Sequence, residues 1–348
     1  MTISRAAQVD LESTPYYHLI SRCVRRAWLC GTDPYTKRDY SHRKRWLVDR
    51  LRELGDIFAV DVCAYAVMSN HYHVVVRVNA EAARAWDEDE VLDRYSKLFG
   101  NARTQLNAMH PDLRGKRVEQ WRDRLMSISW LMRMLNELIA RKANAEDECT
   151  GRFWEGRFKS QALLDEAALL VCMSYVDLNP VRAGAANGLD DSEFTSIYER
   201  LAAMGARLDA VEGEADSADA RGAADAQSAF AEARDATSHR LAPFWDEPRS
   251  DTQAPLPMTL VDYVELLDWT GRATRHGRGK IRGRVPALLE RRGIDPDAWL
   301  KLMESSGLRT LLCIGQGDSL RAHAARTDRA WVRGHGAARS LFGPPESG

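Results

Sequence analysis

The apolar residues of the first 80 positions are arranged in short runs that predict strands. Each run is rich in aromatic and β-branched side chains, as strands commonly are. The runs cover residues 16–24, 57–68 and 71–78. Ser69 and Asn70 separate the second run from the third, and a tight turn there favours an antiparallel pair. Residues 152–162, which mix aromatic and basic side chains, are a further candidate strand.

Helices are predicted where apolar residues recur about every 3.6 positions. Such spacing covers residues 38–54, 82–99, 118–145 and 166–178. Asp165 is the expected N-cap of the last helix, and Pro180 is expected to stop it. The order of strands and helices predicts an α+β fold of the ferredoxin-like class, an antiparallel sheet with helices on one face.

The chain after residue 200 has a different composition. Residues 201–255 are acidic and dominated by Ala, Asp, Glu, Ser and Gly, which is typical of a linker or of an Ala-rich helix. Apolar residues return over residues 256–320, which are predicted to form a small helical accessory region and are a candidate for DNA binding. Residues 321–348 are expected to form a flexible tail. We therefore expect one main domain over residues 1–200, followed by these three parts.

Composition narrows the possible classes of protein. The 348 residues carry a net charge of −1 and contain no apolar run long enough for a membrane span. The first residues lack the apolar segment of a secretory signal, and the six cysteines form no C-x-x-C pair. We therefore expect a cytoplasmic protein with reduced thiols. Although the net charge is close to zero, the C-terminal part of the chain is basic. Phosphate binding depends on such local patches and not on the net charge.

His71 and His73 are the first candidates for chemistry. They lie two positions apart in a predicted strand, so both side chains project from one face while Tyr72 projects from the other. Two imidazoles on one face can supply two nitrogen ligands to a divalent ion. Taken alone, the pair is equally well explained as two half-exposed strand histidines.

Tyr175 and Asn179 are the second candidates. They are four positions apart on the predicted helix 166–178 and its end, so they share a helical face. An Asn carbonyl oxygen is a suitable ligand for Mg²⁺ or Mn²⁺, and a phenol beside it can act as a nucleophile. The alternative is structural, since Asn before Pro commonly ends a helix and a tyrosine can serve as a core aromatic.

These motifs resemble those of a known enzyme family. Residues 65–76, YAVMSNHYHVVV, resemble the HUH signature (histidine-hydrophobic-histidine) of single-tyrosine transposases. Residues 151–164, GRFWEGRFKSQALL, followed by residues 174–185, SYVDLNPVRAGA, resemble the second signature of REP-associated tyrosine transposases and their insertion-sequence relatives. The resemblance covers roughly residues 13–200.

Two positions depart from the family pattern. The family often has Pro where this chain has Ser69, and an aliphatic residue where it has Tyr72. Neither change removes a ligand. Tyr72 adds a second hydroxyl near the pair, but it should face away from the metal.

The resemblance implies a function. By it, His71, His73 and Asn179 bind Mg²⁺ or Mn²⁺, and Tyr175 is the nucleophile. The enzyme would cleave and rejoin hairpin-containing single-stranded DNA through a covalent 5′-phosphotyrosine. Three alternatives stay open: a replication initiator or relaxase with the same chemistry, a DNA-binding regulator without catalysis, and a metal-dependent phosphohydrolase that uses water. A monomer and a homodimer also both stay open.

Binding of unpaired DNA calls for basic and aromatic side chains. The candidates are Arg22, Arg25, Arg26, Trp154, Arg157, Lys159, Arg182, Arg278, Lys280 and Arg282. The last three belong to a basic cluster over residues 272–292, which is equally consistent with a solvated surface. Phe153, Trp154 and Phe158 are equally consistent with core packing.

Overall fold

A five-stranded sheet forms the centre of the protein. The computed structural model describes residues 9–24, 29–33, 37–205, 241–249, 253–276, 285–305, 308 and 311–343. The strands are β1 (Tyr16–Arg22), β2 (Val60–Val67), β3 (His71–Val78), β4 (Lys159–Leu163) and β5 (Cys313–Ile314). Their order in the sheet is β2-β3-β1-β4-β5, antiparallel except for the parallel pair β4-β5. Together with the helices, this sheet confirms a mixed α and β fold.

Eight helices accompany the sheet between residues 43 and 182. They are α1 (Arg43–Ile57), α2 (Ala80–Ala85), α3 (Glu88–Leu98), α4 (Ala102–Asn107), α5 (Pro111–Leu125), α6 (Ile128–Glu146), α7 (Glu166–Asp177) and α8 (Asn179–Arg182). The single helices expected over residues 82–99 and 118–145 are each two helices. At the break between α2 and α3, the Asp87 carboxylate caps α3. At the break between α5 and α6, the Leu125 carbonyl accepts a hydrogen bond from the Ala59 amide.

Helix α7 begins as expected and ends one residue early. The Asp165 carboxylate accepts a hydrogen bond of 2.8 Å from the Ala168 amide, so Asp165 is the N-cap. The helix stops before Pro180, as expected. Pro180 itself lies in the first turn of α8, where a missing amide proton costs nothing.

The helices lie on both faces of the sheet, so the expectation of helices on one face was wrong. Val74 and Val76 of β3 pack in the same core as α1 and α6, whereas Val75 packs in a second core with α7. A strand buried on both faces carries a continuous apolar run, here three valines. Every residue of α7 from Ala167 to Asp177 is buried, which is typical of a helix covered on all sides.

The chain after residue 256 packs against the sheet. Its helices are α9 (Leu260–His276), α10 (Val285–Glu290), α11 (Pro296–Glu304), α12 (Gly317–Arg326) and α13 (His335–Phe342). The last two lie largely within the expected flexible tail. Strand β5 extends the sheet, and α9 and α11 join the core around α7. The boundaries proposed between the parts stay predictions, and residues 206–240 lie outside the described ones.

None of the described helices is long and apolar enough to cross a bilayer.

Candidate metal and tyrosine site

Strand β3 holds His71 and His73 on the face of the sheet that is covered by α7. The ring centroids of the two histidines are 5.0 Å apart, at an interplanar angle of 75°. His73 is fully buried and His71 is half-buried. The pair therefore lies at the start of β3, with one imidazole covered and the other partly open to solvent.

Tyr175 lies opposite the pair on α7. Its ring meets the His73 ring edge-on, with centroids 6.1 Å apart. The structure thus brings together three of the four residues in the sequence hypothesis. The Tyr175 side chain is only 1% exposed. A phosphate can reach its hydroxyl only if a covering group moves.

Arg182 of α8 is one of the groups that cover Tyr175. Its guanidinium lies 4.2 Å from the centroid of the Tyr175 ring, a cation–π contact. One guanidinium nitrogen also donates a hydrogen bond of 2.7 Å to the Ser305 carbonyl. The C-terminal part of the chain therefore holds the cation that lies against the candidate nucleophile.

Asn179 follows α7 but does not bond to the histidine pair. It begins α8 and is 8% exposed. Its side-chain nitrogen has no hydrogen-bond partner within the described residues, and no hydrogen bond joins it to either histidine there. This nitrogen is a hydrogen-bond donor, whereas the metal ligand in the sequence hypothesis is the carbonyl oxygen of the same side chain.

Tyr72 lies on the opposite face of the sheet, as expected. Its hydroxyl donates a hydrogen bond of 2.7 Å to the Asn136 side chain of α6. Its ring meets the Trp154 ring edge-on at 5.7 Å. Complete burial raises the pKa of the Tyr72 phenol well above its ordinary value of 10. Tyr72 is thus a packing residue on the face remote from the histidine pair.

Sequence reasoning missed two buried polar residues beside the pair. His18 of β1 places its Nε2 2.8 Å from Nδ1 of His73, and their rings stack at 5.0 Å. The other nitrogen of His18 lies 2.6 Å from Oε1 of Gln161 on β4. Burial lowers the pKa of His18 to about 4 from its ordinary value of 6.5. A histidine and a glutamine inside two strands buried on both faces were the overlooked signal.

Two of the basic candidates flank the pair on the same face. Arg22 pairs with His71 across β1 and β3, and Lys159 is two residues from Gln161 along β4. Both side chains are exposed, as is Arg157 in the loop before β4. Arg22 and Lys159 form a basic rim beside the pair.

Other DNA-binding candidates are not in this rim. Trp154 packs on Tyr72 and donates a hydrogen bond to the Asn136 carbonyl, so it lies on the opposite face, and this position does not support a shared groove with Arg22. Phe153 and Phe158 are buried in the core. The residues Arg25, Arg26, Arg278, Lys280 and Arg282 lie outside the described residues.

The donor atoms present fit a divalent ion only in part. Within the described residues, no group of three His, Cys, Asp or Glu side chains forms a metal site. The two imidazoles offer nitrogen ligands on one face of the sheet, and the sequence hypothesis takes its third ligand from the Asn179 carbonyl oxygen on the adjoining helix end. Such a set leaves coordination positions for water or for phosphate oxygens, as a catalytic metal site requires.

Comparisons with known proteins add little information about the function of this chain. No known protein family and no curated protein match the chain. One solved structure that is similar to part of it is a REP-associated tyrosine transposase bound to a REP hairpin. The two chains are 12% identical, the match covers 54% of this chain and 79% of that one, and the TM-score is 0.34. Similarity this distant carries no argument, so the functional conclusion must rest on the site.

Proposed function

We propose that this protein is a single-tyrosine HUH transposase that nicks and rejoins single-stranded DNA. The observation that carries the proposal is the meeting of His71, His73 and Tyr175 on one face of the sheet, with Arg182 against the tyrosine. The order of the first four strands, with a helix after β1 and further helices before β4, supports assignment to the ferredoxin-like class. The motifs around these residues resemble those of REP-associated tyrosine transposases.

The proposed reaction begins at the Tyr175 hydroxyl. Its oxygen attacks the phosphorus of a DNA phosphodiester, forms the phenol–phosphorus bond and displaces the 3′ oxygen. The phenol proton passes to solvent, and the departing oxygen takes up a proton and leaves as a 3′-hydroxyl. Attack by the 3′-hydroxyl of another strand reverses these steps and rejoins DNA without ATP, because the phosphodiester energy is kept in the phosphotyrosine.

The surrounding residues have distinct roles in this proposal. His71, His73 and Asn179 would hold Mg²⁺ or Mn²⁺. A divalent ion there polarises the phosphate and offsets the charge that develops on it. Arg182 supplies a positive charge beside the nucleophile. Because Tyr175 is buried, the Arg182 side chain must turn from the ring toward the bound phosphate before attack, so that its charge stays beside the nucleophile.

The substrate proposed is unpaired DNA next to a hairpin. The exposed Arg22 and Lys159 provide backbone charge contacts beside the histidine pair. A base-specific contact is not assigned to any residue.

The test is covalent capture of DNA. The protein is incubated with hairpin-bearing single-stranded DNA and Mn²⁺, and adducts that survive denaturation are resolved on a gel. We expect an adduct that chelation and Tyr175→Phe both abolish. Tyr72→Phe is the matched control, because it removes the other hydroxyl near the pair from the opposite face of the sheet, and it should leave the adduct intact.

Each alternative predicts a different result. Cleavage that persists in Tyr175→Phe would favour a phosphohydrolase that uses water. Binding without adduct or cleavage in the wild-type protein would favour a DNA-binding regulator.

A further inference from the structure

His18 and Gln161 form a buried hydrogen-bonded chain that ends at His73. His18 is fully buried and Gln161 is 1% exposed. The chain runs from Gln161 Oε1 through both nitrogens of His18 to Nδ1 of His73, over distances of 2.6 and 2.8 Å. These residues lie on three adjacent strands, so the sheet itself fixes their spacing.

The orientation of the Gln161 amide is fixed from outside the sheet. Its nitrogen donates hydrogen bonds to the carbonyls of Leu308 and Leu311 in the C-terminal part of the chain. A carbonyl can only accept, so the nitrogen must face these two groups. The amide oxygen is thereby turned toward His18.

This orientation determines where each proton lies. The Gln161 oxygen can only accept, so Nδ1 of His18 carries a proton. A buried neutral imidazole then has an acceptor at Nε2, which receives the Nδ1 proton of His73. The remaining nitrogen of His73, Nε2, is therefore the unprotonated one, and this is the form that binds metal ions.

We propose that His18 and Gln161 are positioning residues that fix the tautomer of His73 so that its Nε2 faces a divalent cation. Neither residue touches the cation. The identity of the cation rests on the function proposed above, whereas the tautomer is a property of the metal-free protein.

The same chain gives the C-terminal part of the protein a role in the site. Leu308 and Leu311 hold the Gln161 amide, and Ser305 holds Arg182. The carbonyls of Ser305, Leu308 and Leu311 thus act on both the metal-facing histidine and the cation against Tyr175. The sequence suggested only an accessory region here, with DNA binding as its candidate role.

The first test reads the tautomer directly in the metal-free protein. Long-range ¹H–¹⁵N spectra of histidine-labelled protein distinguish protonated from unprotonated ring nitrogens, and His73→Ala assigns the resonances. We expect His73 to carry its proton on Nδ1. A proton on Nε2 of His73 would overturn the inference whatever the enzyme does.

The second test measures Mn²⁺ affinity from the electron paramagnetic resonance signal of the free ion. His18→Leu removes the acceptor, and affinity should fall about 10- to 100-fold, as is usual for partners of metal-ligating histidines. His18→Gln offers an oxygen acceptor at about the same reach and should restore most of the loss. Val75→Ala is the control for lost packing, since it opens the same core without touching the chain of hydrogen bonds, and it should bind Mn²⁺ as the wild type does.

The outcomes separate this inference from the proposed function. Wild-type affinity in His18→Leu, or equal losses in His18→Leu and His18→Gln, would overturn the positioning role and leave the function standing. Lack of Mn²⁺ binding by the wild type would overturn the metal-dependent function and, with it, the role of this chain toward a cation. The wild-type spectrum remains decisive even if His18→Leu does not fold.

Discussion

The buried imidazole of His18 makes the stability of the fold depend on pH. Burial lowers its pKa in the folded protein to about 4, while the unfolded chain keeps the ordinary value of 6.5. Between these values the unfolded state binds the proton and the folded state does not. The stabilising effect is therefore complete above about pH 6.5 and is lost as the pH falls toward 4.

This dependence gives a prediction for the metal-free protein. On going from about pH 7.5 to about pH 5, the free energy of unfolding should fall by about 2 kcal/mol through His18. Urea unfolding of the wild type and of His18→Gln at both pH values isolates the contribution of His18 to this decrease, because the variant lacks the titrating ring. An equal decrease in the two proteins would contradict the assignment.

Arg182 gives a second prediction at the scale of single residues. Arg182→Gln removes the positive charge beside Tyr175 and should slow adduct formation by about tenfold, the effect of about 1.4 kcal/mol on the barrier. Arg182→Lys keeps the charge but loses the planar contact with the ring, so its rate should lie between the two. Single-turnover rates of adduct formation measure both effects. A Gln variant as fast as the wild type would show that Arg182 only packs.

The sequence predicted part of the site at this scale. The alternation of a strand is enough to place His71 and His73 on one face and Tyr72 on the other. It does not show which buried polar groups on neighbouring strands meet, since that depends on register. His18 and Gln161 were missed for this reason: they become partners only through the pairing of β1 with β3 and β4.

Helix α7 depends on one cap that serves two purposes. One oxygen of Asp165 accepts a hydrogen bond from the Ala168 amide at the start of α7. The other accepts one of 2.7 Å from the Gln316 amide, which follows β5. The carboxylate therefore joins the helix that carries Tyr175 to the edge strand of the sheet.

We expect Asp165→Ala to lower the free energy of unfolding by about 2 kcal/mol, at the upper end for an N-cap, because two amides lose their acceptor. Asp295→Ala is a matched control, since Asp295 caps α11 through a single hydrogen bond to the Ala298 amide. Asp295→Ala should lower the free energy of unfolding by about 1 kcal/mol. Equal losses in the two variants would mean that the contact with Gln316 adds nothing.

The boundaries of helices were predicted from the sequence only where a local sequence signal marks them. The Asp165 cap was recognisable because an Asp precedes an apolar run. The break between α5 and α6 was not, and at this break the Leu125 carbonyl accepts a tertiary hydrogen bond from the Ala59 amide, which local sequence does not indicate. Helix α7 lies on the opposite face of the sheet to α1, and β3 is therefore buried on both faces. The run of three valines in β3 agrees with this double burial, whereas the ferredoxin-like expectation placed the helices on one face.

At the scale of the whole molecule, the C-terminal part completes the second core. Tyr263 of α9 donates a hydrogen bond of 2.7 Å to the buried Asp177 carboxylate at the end of α7. Leu266 and Trp299 pack in the same core as Val176. Composition had suggested an accessory region joined by a linker, but these contacts bury the helix that carries the candidate nucleophile.

A fragment that ends at residue 205 should therefore not fold as the intact chain does. Without residues 256–343 the outer side of α7 would be exposed to water. Exposure of apolar surface costs about 25 cal/mol of folding free energy for each Å². We expect the fragment to lack a cooperative urea transition when monitored by circular dichroism. A single sharp transition with the far-ultraviolet spectrum of folded helices would show that the first 205 residues are an independent domain.

The central claim is that Tyr175 becomes covalently attached to DNA in a metal-dependent step. The most direct measurement is mass spectrometry of the adduct after digestion with nuclease and protease. The account predicts a nucleotide remnant on the peptide that contains Tyr175, formed with Mn²⁺ and absent after chelation. A remnant on Tyr72 or another residue, or cleaved DNA with no modified peptide, would contradict it.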